Sequence, residues 1–107
     1  MSWYVLLLAA LFEIVWAIGL EYSDGFSKPV PTFVTVVALI ISMVLLAQAV
    51  KELPVGTAYA VWTGIGAVGT ASLGIFLFDE PATLARITFI GVIVVGIVGL
   101  HLASGGH

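Results

Sequence analysis

Glu13 is the residue around which the possible chemistry of this sequence gathers. It is the only charged side chain deep inside any of four long apolar stretches, Arg86 lying at the very start of the last. A charge near the centre of a bilayer costs roughly 2.5–3.5 kcal/mol on insertion scales, so such a residue is kept where it faces a water-filled cavity or a partner. Its presence points to proton or cation handling. Few other polar or aromatic residues could join it. Trp16 lies three positions on, one turn away on the same helical face. Ser42 is the one hydroxyl in the middle of the second stretch, and Tyr59 and Trp62 share a face of the third at i, i+3. Together these suit a small organic cation. A carboxylate neutralises its charge, a hydroxyl holds it, and aromatic faces attract it through their quadrupoles. Each also has a plainer reading. Trp3, Tyr4 and Tyr59 suit an interfacial aromatic belt, and Ser42 could bond a carbonyl of its own helix.

The elements that must position these residues follow from composition. The chain has 107 residues, 62% hydrophobic and 8% charged, with mean hydropathy +1.26. A soluble domain of this size has too little interior to hide that apolar surface, so lipid is its main solvent. The apolar stretches cover residues 3–20, 30–50, 57–78 and 85–103, each close to the roughly 20 residues a spanning helix needs. The expected fold is an all-α integral membrane unit of four transmembrane helices over residues 1–107. The first stretch does not read as a signal peptide, having no Lys or Arg before it and Glu13 inside it. With no cysteine, thiol chemistry and disulfides are excluded. A net charge of -3 without a basic patch argues against a nucleic-acid partner. His101 and His107 are isolated, no Gly-rich phosphate loop with Lys occurs, and no Ser-His-Asp set is available. An enzyme, a metal site and a cofactor are therefore not expected.

Short connections around Ser23-Asp24-Gly25, Leu53-Pro54 and Glu80-Pro81 predict sequential helices that run antiparallel as neighbours, with both termini on one side. Lys51-Glu52 and Asp79-Glu80 read as solvated loop charges. Lys28 and Arg86 lie towards one membrane face and Lys51 towards the other. So small a bias is compatible with insertion in both orientations. Four short helices make a poor cage, whereas larger transporters surround a midplane site with two inverted halves. An antiparallel homodimer of this chain would have that symmetry, with two copies of Glu13 facing one cavity. In the third helix Gly66, Thr70 and Gly74 form a small-residue ridge, and Gly64 with Gly66 offers either a hinge or simple packing. The fourth helix carries Gly91, Gly96 and Gly99 and no intramembrane charge, which reads as an association helix, not a lining one.

Four segments in order carry a family resemblance over essentially the whole chain: Phe12-Glu13-Ile14-Val15-Trp16-Ala17, Tyr22-Ser23-Asp24-Gly25-Phe26, the run from Leu53 to Ala67, and Asp79-Glu80-Pro81. The chain resembles the small multidrug resistance family. The pair Glu13/Trp16 and the run Gly-Thr-Ala-Tyr-Ala-Val-Trp-Thr at 56–63 look most like its guanidinium-exporter subtype. The resemblance implies an antiparallel dual-topology homodimer in the cell (inner) membrane that exchanges protons for a guanidinium-type cation. It makes Glu13 the shared proton and substrate site, lined or tuned by Trp16, Ser42, Tyr59 and Trp62. It also makes Gly64-Ile65-Gly66 the flexing point and the fourth helix, with Gly91, Gly96 and Gly99, the dimer contact. Glu21 and His101 depart from basic residues common in that branch and thin the orientation signal. The alternatives are a broader exporter of quaternary ammonium cations and, in another class, a non-transporting membrane interaction subunit.

Overall fold

A computed structural model describes residues 2–103, which form α1 (Ser2–Tyr22), α2 (Pro29–Ala49), α3 (Val55–Leu77) and α4 (Leu84–Ala103). All four are long and apolar enough to cross a membrane. In hydrocarbon every backbone polar group must be satisfied within the protein, and a helix does this within one segment.

The boundaries have local causes. α1 runs past Leu20 to Tyr22, where the fully buried Ser23 takes over. The Ser23 hydroxyl donates to the Leu20 carbonyl at 2.7 Å and accepts the Phe26 N–H at 3.2 Å. Asp24, Gly25 and Phe26 then reverse the chain with φ of 49°, 71° and 68°, a left-handed region that only glycine enters without cost. Pro29 opens α2 in the first turn, where its missing N–H is no loss. α3 ends with the Phe78 N–H donating to the Gly74 carbonyl at 3.0 Å, after which Asp79 turns left-handed at φ 54°. Thr83 caps α4, its hydroxyl accepting the Arg86 N–H at 3.2 Å. That bond sets the start of α4 at Leu84.

The lateral order differs from the sequence expectation in one respect. α1 packs along both α2 and α3, while α2 and α3 meet only narrowly. Short loops fix direction but not which helices share a long interface. α2 turns one stripe inward, made of Thr35, Ala38, Ser42, Leu46 and Ala49, at the spacing of a single helical face. Small residues let the backbones approach: a methyl on Gly19 would overlap the Thr35 hydroxyl. α4 packs along α3, where half-buried Ile93 and Ile97 meet Gly64, and none of its described residues is buried. The resulting protomer is a slab of 43 × 35 × 16 Å.

Packing is uneven along the slab. Leu6, Ala9, Ala10, Leu46, Ala49, Leu53, Ala58, Val61 and Trp62 form one buried cluster. All belong to the end that holds the start of α1 and the α2–α3 loop. The opposite end, with the α1–α2 and α3–α4 loops, is hollowed by cavities. Trp3 and His101 meet edge to face at the packed end, 4.5 Å between ring centroids. Trp3 is thus a packing residue between α1 and α4, whereas Tyr4 is exposed, as a belt residue would be.

Candidate functional site

Glu13 sits near the middle of α1, on the face that meets α3, and is only 8% exposed. It fits there because Gly66 stands opposite. A methyl at Gly66 would overlap the Glu13 carboxylate. One turn on, Gly69 admits Ile14 in the same way. The glycines of α3 therefore bring its backbone onto α1 and leave room for a carboxyl group between them. Among the described residues none donates a hydrogen bond to that carboxylate. With no protein donor and a cavity beside it, the carboxylate of Glu13 is suited to a partner that comes and goes.

The carboxylate borders a cavity of about 420 Å³, open along one side, between α1 and α3. Trp16, Tyr59 and Trp62 line it. The Tyr59 and Trp62 rings are 5.6 Å apart and tilted by 48°, forming an angled aromatic wall. Trp62 is buried while Tyr59 is 57% exposed at the open side. The arrangement presents one anionic group and several π faces to a shared space, which is what a cation with a flat, weakly hydrated surface requires.

Ser42 has a different position from the other four. It is fully buried and stands behind Trp62, away from the cavity lining. Its hydroxyl donates to the Ala9 carbonyl at 2.7 Å and accepts the Trp62 indole N–H at 2.9 Å. The bond thus crosses to α1 and does not turn back into its own helix. Helix geometry pairs the Ala9 carbonyl with the Glu13 N–H. One hydroxyl on α2 therefore connects the backbone that carries Glu13 to the indole that walls its cavity. Buried and fully partnered polar links of this kind hold rotamers in place.

Thr63, Ala67 and Thr70 also line the cavity, although sequence reasoning about binding passed over them. Their spacing from Tyr59 and Gly66 repeats at three and four, so helical periodicity was the available signal. Gly64 and Gly66, read as a hinge or as packing, each have a contact to make. Gly64 receives Ile97 of α4, whose Cδ1 would stand 3.1 Å from a methyl on that glycine, and α3 is unbroken through both. Gly91, Gly96 and Gly99 have none: a methyl at any of them would meet no atom of the described residues within 4 Å. α4 contributes no residue to the cavity. Glu80 is not a free loop charge, since Arg86 pairs with it at 3.3 Å.

A sequence model of the family described as "Small Multidrug Resistance protein" matches residues 1–93. The chain belongs to the small multidrug resistance family. Among its relatives, a protein named guanidinium exporter from Yersinia pseudotuberculosis serotype I (strain IP32953) is 61% identical over 104 residues, covering 97% of this chain and 100% of that protein. Proteins of the same name from Salmonella typhimurium (strain LT2) and Escherichia coli (strain K12) are each 57% identical over 104 residues, covering 97% of this chain and 99% of theirs. As a small multidrug resistance protein with four spans, the chain is a multi-pass inner-membrane transporter and not an enzyme.

Proposed function

We propose that this chain is a proton-coupled antiporter that exports guanidinium and small substituted guanidinium cations, working as an antiparallel dual-topology homodimer. The observation that carries the reading is Glu13, buried and without a hydrogen-bond partner among the described residues, at the wall of an aromatic cavity. Guanidinium is planar, and two of its N–H groups can meet a carboxylate side by side. Its faces can rest on Trp16, Tyr59 and Trp62, which the cavity presents together. Ser42 serves by fixing Trp62 and not by touching the cation.

Coupling follows from competition. A Glu13 that holds a proton has lost the charge that holds the cation, so an incoming proton expels the substrate. Two Glu13 carboxyls in one dimer titrate as a coupled pair, without a separate value for each. The open side of the cavity is the side a second copy would close. The outward face of α4, where Gly91, Gly96 and Gly99 have no neighbour among the described residues, is where that copy would pack. Movement about Gly64 and Gly66 would then switch access between the two sides of the membrane. The relatives named guanidinium exporter support the substrate class.

The test is substrate-driven proton movement in proteoliposomes. Guanidinium should produce a signal, a bulky quaternary ammonium little, and Glu13→Gln none, with the variant expressed and dimeric. Proton-coupled uptake persisting in Glu13→Gln would overturn the mechanism. Equal responses to both cations would instead support the broader exporter. Silence from a well-folded wild-type dimer would leave the interaction subunit.

A further inference from the structure

The cavity at Glu13 does not end at Glu13. A second chamber of about 300 Å³ lies towards the hollow end of the slab, and the two share the same wall residues Ala17, Ala67 and Thr70. The outer chamber is bordered by two carboxylates, Glu21 at the end of α1 and Glu80 after α3. Glu80 is held in place by its surroundings. Its backbone N–H donates to the Gly74 carbonyl at 3.3 Å, its carboxylate lies where a methyl on Gly74 would be, and Arg86 pairs with it at 3.3 Å. The inner end of the path is the unpartnered carboxylate of Glu13, more than nine-tenths buried.

Of the three residues shared by both chambers, only Thr70 is polar. A helical threonine commonly donates its hydroxyl back to a carbonyl of the preceding turn, as Thr35 does here to Pro31 at 2.7 Å. The Thr70 hydroxyl makes no such bond among the described residues. It is a free donor and acceptor midway along an otherwise apolar neck.

We propose that Thr70 is a transfer point for the guanidinium-type cation between the Glu13 site and an outer acidic chamber formed by Glu21 and Glu80. The inference rests on the function proposed above and adds a route and a residue to it. Glu21 raises the local concentration of cations at the mouth, and Glu80, already paired with Arg86, adds a fixed acceptor there. Thr70 accepts an N–H of the cation as it passes, so that it is not stripped of all hydrogen bonds between one carboxylate and the next. Passage depends on Thr70 more than binding at Glu13 does.

Full-length protein in proteoliposomes would be compared as wild type, Thr70→Val, Thr70→Ser and the double variant Glu21→Gln/Glu80→Gln, with guanidinium binding followed by tryptophan fluorescence in the same preparations. Thr70→Val keeps the shape and removes the hydroxyl. Its initial guanidinium flux should fall roughly tenfold, the scale of one lost hydrogen bond to a charged group, a larger loss than any shift of its binding curve. Thr70→Ser should restore the flux. The double variant should lose the salt sensitivity of the wild-type rate at low substrate. Wild-type flux in Thr70→Val would overturn the inference, as would a loss of binding equal to the loss of flux, or failure of Thr70→Ser to recover. If the wild type moves no guanidinium at all, the proposed function falls and this inference with it. A transporting wild type matched by Thr70→Val removes this inference alone.

Discussion

At the scale of single residues the site depends on what is small and what is shared. Gly66→Ala should leave the fold intact, because the group it would strike is the far end of the Glu13 side chain and not backbone. The carboxylate must swing away, however. Guanidinium affinity in the variant should therefore drop while expression and helix content, read by circular dichroism, stay at wild-type levels. Ser42→Ala should act differently. It leaves the buried Trp62 N–H without a partner, while the Ala9 carbonyl keeps its helical one, at about 1–3 kcal/mol for the orphaned group. A lowered thermal unfolding midpoint together with weaker guanidinium binding would mark Ser42 as a positioning residue. If protons and guanidinium compete for Glu13, the apparent KM for guanidinium should also rise as pH is lowered, with the limiting rate at saturating substrate far less affected. A pH-independent KM would separate the two ligands. Glu13, Trp16, Tyr59 and Trp62 were legible in the sequence because a charge in an apolar run is conspicuous and helical spacing places aromatics on one face. The role of Ser42 was not, since its acceptor is 33 positions away and no spacing within one helix reports on it.

At the scale of elements the helices were legible and their lateral order was not. Apolar length and the Pro and Gly of the loops locate four spans to within a few residues. That α1 is flanked by α2 and α3, and that α4 runs along α3, depends on which stripes are small enough to nest. Gly19 against Thr35, Gly66 against Glu13 and Gly64 against Ile97 are the deciding pairs. The outward face of α4 offers a direct test of the proposed pairing. Val92 and Val95 are both exposed and lie eight positions in from opposite ends of the helix. In an antiparallel α4 pair centred on the bilayer, Val92 of one copy meets Val95 of the other, flanked by Gly91, Gly96 and Gly99. Because the chain has no cysteine, Val92→Cys and Val95→Cys can be introduced without background. Mixed together they should give oxidised dimers readily, and either alone far fewer. Efficient linkage of each variant to itself would indicate a parallel pair.

At the scale of the whole molecule the 16 Å thickness of the slab is the governing fact. A sheet of helices barely deeper than one helix with its side chains, about 10–12 Å, cannot enclose a cation alone. Its loop charges are also close to balanced across the membrane. Adding lysines beside Lys28 should bias insertion one way, and in the proposed dimer this should abolish transport until a variant biased the other way, with lysines beside Lys51, is co-expressed. Transport by a population shown by site-specific labelling to have a single orientation would remove the need for inversion. The uneven packing of the slab bears on the same point in mechanical terms. One end is a clamp, with Leu6, Ala9, Ala49, Ala58 and Val61 entirely buried, and the other is splayed around cavities. A lever clamped at one end swings at the other. In an inverted pair the two clamps lie on opposite membrane faces, so each swinging tip works against the partner's fulcrum, and opening one mouth pinches the other. Amide exchange should accordingly be slow over residues 6–10 of α1 and 58–62 of α3 and faster over residues 67–77 of α3.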